Sequence, residues 1–243
     1  MKTAPAAMTP LSAWLQALDS TPPQELLLGG TGHLLLSEAE EENVVEQLRQ
    51  AVLPRLFPQD YAGQVCLLTG LAPGSDLLFT RVLSAWLLEA GIPYRITGLL
   101  PLPVPELVED WLSSLRDSGE EPSAAEARLR RSQVEHSLAS CETVVDLLPP
   151  GAAPAKLEDP RFRQNQYRSL AACLAQRSNL LVAILRGEHV GKPGGTAEVV
   201  DWRRHPLHVP EEFSTLPPDT PAAPGRRLIV VNPAVEYTPE SGI

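Results

Sequence analysis

Six short apolar runs, most of them ending at a glycine or proline and leading into a segment of helical period, organise this 243-residue chain. They are ELLL (25–28), QVCLLTG (64–70), YRITGLLPLP (94–103), TVVDLLPP (143–150), NLLVAILRG (179–187) and RLIVVNP (227–233). A run that is apolar at successive positions offers both faces for burial, as central strands of a parallel sheet do. Alternation with helices places such a sheet between two helical layers. The expected fold is therefore α/β, a Rossmann-like three-layer sandwich with a mainly parallel sheet. We read residues 1–243 as a single domain, with 1–22 as an N-terminal helix and extension and 205–224 as a proline-rich insertion.

The helical segments carry their own punctuation. Residues 8–19 repeat Leu11, Trp14, Leu15 and Leu18 on one face. Ser37 with Glu40, and Ser123 with Glu126, have the spacing of capping boxes. The first opens a helix to about Val52, before Pro54 and Pro58; the second opens one to about Ser140. Further helices are expected over 77–90, with Gly91 just past the end, over 161–177, and from 192–202 after a glycine turn. Residues 104–122 show no clear period, and the tail after 233 is polar. Trp86, Trp111, Trp202 and Tyr167 fall at apolar helical positions and read as core.

Charge narrows the partners. The formal net charge is −10, and only Lys2, Lys156 and Lys192 are lysines. Binding to a nucleic-acid backbone needs clustered positive charge, so no nucleic-acid partner is expected. A local basic pocket for one small anion remains compatible with this balance. The three cysteines, Cys66, Cys141 and Cys173, are widely spaced in apolar surroundings and read as buried thiols in a reducing compartment. No apolar run reaches the ~18 residues of a membrane span, and the first nineteen residues make a poor signal peptide. The expectation is a cytoplasmic protein with no membrane partner, free to form a homo-oligomer.

Three glycine-rich segments should meet at the carboxyl edge of the sheet: GGTGH (29–33), TGLAPGSD (69–76) and PGGTAE (193–198). Glycine lets a backbone approach a phosphate, and the helix that follows supplies unpaired N–H groups. The candidate ligand-binding residues are Gly29, Gly30, Thr31, Gly32, His33, Gly70, Leu71, Ala72, Gly74, Ser75, Asp76, Gly194, Gly195, Thr196 and Glu198. Neither GxGxxG nor GxxxxGK[ST] occurs, which disfavours an ordinary dinucleotide fingerprint and a P-loop.

Taken together, strand–GGTGH, LLTGLAPGSDLLFTRVL, QYRSLAACLAQRSNLLVAILRG and PGGTAEVV resemble the SLOG superfamily over about residues 25–233. That group joins the DNA-processing protein A fold, the "lonely guy" phosphoribohydrolases and predicted nucleotide-ligand sensors. The resemblance implies a Rossmann-like fold that binds nucleotides or their derivatives. The hydrolase branch carries a longer PGGxGTxxE signature with an upstream arginine; this chain has the shorter PGGTAE, and no arginine paired with it is evident in the sequence. The sensor-like branch fits better.

Glu198 and Asp76 are the two candidate catalytic acids. Each also suits the first turn of a helix, where a carboxylate meets the dipole. Glu198 could bind ribose hydroxyls or act as general base on a water at an N-glycosidic bond. Arg161 and Arg168 share a helical face and read either as solvated charge or as a phosphate clamp. His205 and His208 lack a third ligand at metal spacing, so no metal is expected, and no cofactor either. The expected function is binding of a nucleotide or nucleotide-derived phosphorylated ligand in a sensing or regulatory role. The alternative is an N-glycosidase or phosphoribohydrolase acting on a nucleoside monophosphate.

Overall fold

The computed structural model describes residues 8–20, 25–53, 57, 63–187, 192–217 and 227–235. The readings of Pro54 and Pro58, of residues 1–7 and 21–22, and of 218–224 lie outside the described residues. Seven strands form one sheet: β1 (Met8–Pro10), β2 (Glu25–Gly32), β3 (Gln64–Thr69), β4 (Tyr94–Leu100), β5 (Thr143–Asp146), β6 (Leu180–Ile184) and β7 (Arg227–Val231). Their order is β1-β5-β4-β3-β2-β6-β7, and every neighbouring pair is parallel. The helices are α1 (Leu11–Ser20), α2 (Glu38–Gln47), α3 (Ser75–Glu89), α4 (Val104–Asp117), α5 (Ala124–Ala139), α6 (Pro160–Arg177) and α7 (Thr196–Arg204). The α/β sandwich with a parallel sheet expected from the sequence is the fold.

The strands bury both faces. Leu28, Val65, Leu67, Ile96, Leu180 and Val182 face a core completed by α2, α3 and Leu107 of α4. Leu27, Cys66, Leu68, Leu99, Val145 and Leu181 face the other, completed by Trp14 of α1, residues 170–175 of α6, and Val199 and Trp202 of α7. All three cysteines are buried free thiols. Among the described residues no helix is long and apolar enough to cross a membrane.

Both capping boxes form. The Ser37 and Ser123 side chains accept from the N–H groups of Glu40 and Glu126, whose carboxylates accept in return. After Gln47 the helix widens into a π turn over Leu48–Val52.

Four readings are corrected. Residues 8–10 are not helical: Met8, Thr9 and Pro10 lie beside Val144, Val145 and Asp146 at the sheet edge, where a proline costs no central ladder bond. Residues 104–122 hold a regular helix, α4. Its Pro105 sits in the first turn, where the missing N–H is not needed, and Leu107, Val108, Trp111 and Leu115 share its buried face. Helix α3 begins at Ser75 rather than Leu77. Finally, Gly29 to Gly32 do not turn: they continue β2, with Gly29, Gly30, Thr31 and Gly32 beside Leu181, Val182, Ala183 and Ile184.

That last correction explains the glycines. A Cβ on Gly30 would stand closer than 3.0 Å to the Phe79 ring of α3, and one on Gly32 would meet Ser75 and Ile184 at similar range. The bare strand admits α3 onto its surface. Gly30→Ala should therefore destabilise the protein by about 1–3 kcal/mol through overpacking. Urea denaturation measures the loss, and adding Phe79→Leu should restore part of it; a neutral Gly30→Ala would show that α3 is not held this close.

Candidate functional site

Successive pairings run from β2 through β3 and β4 to β5, and β6 then docks on the opposite side of β2. The connections leaving β2 and β6 diverge there, and in open parallel sheets such a divergence is where a crevice at the carboxyl ends takes ligands. His33, just past β2, spans this point: its Nε2 accepts the backbone N–H of Arg186, just past β6, at 2.9 Å. Arg186 in turn donates to both carboxylate oxygens of Glu40 and to Leu35 O. The guanidinium holds the Glu40 carboxyl down to about 2. His33 thus fastens one rim of the crevice.

The segment from Thr69 to Asp76 forms the next wall. Gly74 caps α3 at φ 93°, and a Cβ there would collide with the carbonyl oxygens of His33 and Leu34. The Ser75 N–H donates to His33 O at 3.1 Å, so the first two segments touch. Leu71 adopts φ 58°, a left-handed conformation costly for a branched residue. Its fully buried side chain lies against Gly98 of β4, and its N–H donates to Thr69 Oγ1 at 3.2 Å.

Asp76 turns back on this segment. Its carboxylate accepts from the N–H groups of Ala72 and Gly70. Burial nevertheless dominates: with the residue 7% exposed, desolvation pushes its carboxyl up to about 7.

Glu198 repeats the arrangement in the third segment. Gly195 is the N-cap of α7, and Glu198 lies in the helix's first turn. One carboxylate oxygen accepts the Gly194 N–H at 2.5 Å; the other accepts from Arg168 Nε at 3.2 Å and lies 3.1 Å from its Nη2 as an ion pair. The arginine paired with this motif is therefore Arg168, on α6, which the sequence offered as solvated charge or as a phosphate clamp. Its guanidinium also lies over the rings of Trp202 and Phe213. Arg161 sits apart, exposed at the start of the same helix.

Helix α6 joins the second and third segments. Leu170 lies where a Cβ on Gly70 would stand, and Gly194 packs on Tyr167. The Tyr167 hydroxyl donates to Asp110 Oδ2 at 2.6 Å, and Arg163 pairs with the same carboxylate. Asp110 escaped the sequence reading because its helix carries prolines at the start. Two side-chain oxygens near these walls, Ser75 Oγ and Gln166 Oε1, are buried without a hydrogen-bond partner.

The amide groups of Gly70, Ala72 and Gly194 are thus occupied by acids of their own segments. The Gly195 N–H is taken too, by Lys192 O. The crevice presents two carboxyl groups, matched to hydroxyl or amine donors, rather than bare amides matched to phosphate. Thr31 and Thr196 are buried hydroxyl residues of β2 and α7. Away from the crevice, His208 pairs with Asp201 at 3.0 Å beside His205. Among the described residues no group of three or more His, Cys, Asp or Glu is placed to hold a metal ion.

Asp76 gives stability a definite pH slope. Its folded value of about 7 lies above the ordinary 3.8, so the folded state binds more protons between these limits. Its contribution is full below about pH 4 and is lost as pH rises through 7, a change of about 4 kcal/mol. Asp76→Asn should abolish this part of the slope and be more stable than the parent at about pH 8. Urea midpoints from about pH 4 to 8 measure it, and parallel slopes would refute the assignment.

No protein-family model matches the chain, and neither a curated protein nor a solved structure matches it. The likeness to the SLOG superfamily rests on the sequence motifs alone.

Proposed function

We propose that the crevice at the carboxyl ends of β2, β3 and β6 binds a nucleotide or nucleotide-derived phosphorylated ligand, in a sensing or regulatory role. The observation that carries this reading is that the first two glycine segments touch and α6 bridges the second to the third, where strand order reverses and open parallel sheets take ligands. The acids set the ligand's orientation. Asp76 and Glu198 accept from sugar hydroxyls or a base amine and would repel a phosphate. The phosphate goes to Arg168, whose guanidinium carries five N–H donors, one of which is given to Glu198.

One observation favours hydrolysis as a second reading: the Arg168–Glu198 pair restores the arginine-and-acid combination of the phosphoribohydrolase branch. In that reading Glu198 takes the proton from a water attacking the N-glycosidic carbon. Against it, both oxygens of the carboxylate already accept hydrogen bonds, one from Arg168 and one from the Gly194 N–H, so an attacking water has to compete with them.

A panel of nucleoside monophosphates and NAD, followed by thermal shift and by chromatography of released base, separates the readings. At ligand about a hundredfold above Kd, binding should raise Tm by roughly 5–10 °C. A shift without release, lost in Arg168→Gln, supports a binding module. Release abolished by Glu198→Gln supports the hydrolase. Neither shift nor release across the panel overturns both.

A further inference from the structure

Helix α5 packs on the core through Val134 and Leu138, but beside them it carries a polar strip. Arg130, Gln133 and Ser137 recur at spacings of three and four, so they share one helical face, and all three are half-buried. Only Val134 of the sixteen residues in this helix is fully buried. Opposite that polar face stand Leu77 and Leu78 of α3 and Ile96 of β4. A cavity of about 610 Å³ separates the two surfaces, within the range of small-molecule sites. Neither side satisfies the other: an apolar floor gains nothing from a polar roof, and the gap leaves both short of contacts.

The roof is held off the floor by other contacts. Arg130 lies over the Trp111 ring of α4 at 5.0 Å and donates to Gln133 Oε1 at 3.1 Å. The charge lining the cavity is cationic in a chain of net charge −10: Arg81 and Arg130 stand with one acid, Glu41, which is paired with Arg81 at 3.7 Å. On the α3 wall the Ser84 Oγ is buried without a hydrogen-bond partner.

We infer that this cavity, which reaches Gly74 of the second glycine segment at one end but is lined mainly by α3, β4 and α5, is a second binding site and that it takes an amphipathic organic anion. The apolar body lies on Leu77, Leu78 and Ile96. The carboxylate, sulfonate or phosphate head meets Arg81 and Arg130, with the Ser84 hydroxyl available to an acceptor on the ligand. The site does not depend on what the glycine segments bind.

The probe is 8-anilinonaphthalene-1-sulfonate, which combines an aromatic body with one anionic head. Titrated into the folded protein near neutral pH, it should bind saturably with about one-to-one stoichiometry and a blue-shifted emission. Arg81→Gln combined with Arg130→Gln should weaken it about tenfold or more. Arg128→Gln, on an exposed position of the same helix outside the cavity lining, should leave it unchanged. Leu77→Trp, filling the floor from a half-buried position, should abolish binding while circular dichroism confirms the fold, and so tests the site even if the double variant fails to fold. Displacement by octanoate or by indole-3-acetate distinguishes an aliphatic from an aromatic natural ligand. No saturable binding, equal affinity in a folded double variant, an unaffected Leu77→Trp, or displacement by a nucleoside monophosphate would overturn the assignment.

Discussion

The close seating of α3 on β2 is the constraint on which the rest of the architecture depends. β2 is the strand on either side of which the sheet was extended, and its glycines remove the side chains that would keep a helix away. Phe79 occupies the space above Gly30, and Ser75 the space above Gly32. The start of α3 is thereby drawn against the end of β2, where the Ser75 N–H reaches His33 O. Gly74 completes the approach, since its positive φ and bare Cα alone allow the chain to pass the Leu34 carbonyl. These glycines serve packing first, and the crevice at the strand ends is the result of how tightly the layers close beneath it.

Electrostatics at the crevice follow from the same closure. Asp76 and Glu198 each lie in the first turn of a helix and each fold back on amides of the segment before it, yet their other partners differ. Asp76 has no cation among the causes that set its proton affinity, and burial outweighs its two backbone donors, so it stands close to half-protonated near neutrality. Glu198 has Arg168, which spans from α6 and lies over two aromatic rings. The site therefore sets one buried carboxyl without a cation beside one paired with an arginine. That asymmetry, rather than a cradle of amides, is what the site offers for recognition.

Legibility from sequence tracked how local the cause was. The apolar runs at 64–70 and 179–187 declare buried strands because every residue contributes to the signal. The capping boxes at Ser37 and Ser123 involve side chains three positions apart and were readable as such. What escaped depended on distant partners. Met8–Pro10 is a strand only because β5 is beside it. The period of α4 was obscured by the prolines that begin it. The run GGTG reads as a turn from composition, and only the presence of Phe79 and Ser75 above it makes it a strand. The Arg168–Glu198 pair spans thirty positions, and no spacing rule links an arginine on one helix to an acid on the next.

What fixes that pair in place is a second arginine. Arg203, at the end of α7, is 6% exposed and donates to four carbonyl oxygens: those of Ala175 and Ser178 at the end of α6, Asn179 before β6, and Arg227 opening β7. It saturates acceptors that a helix end leaves orphaned and locks α7 against both α6 and the sheet. Glu198 lies on α7 and Arg168 on α6, so the geometry of the ion pair is inherited from this anchor, at the opposite end of α7 from the crevice. The amide of Gly194, the acid and the guanidinium are held in register by backbone carbonyls that take no part in the site. Position in the crevice is thus set by hydrogen bonds made at the far side of the layer, and the segment after α7 adds Phe213, whose ring lies under the Arg168 guanidinium.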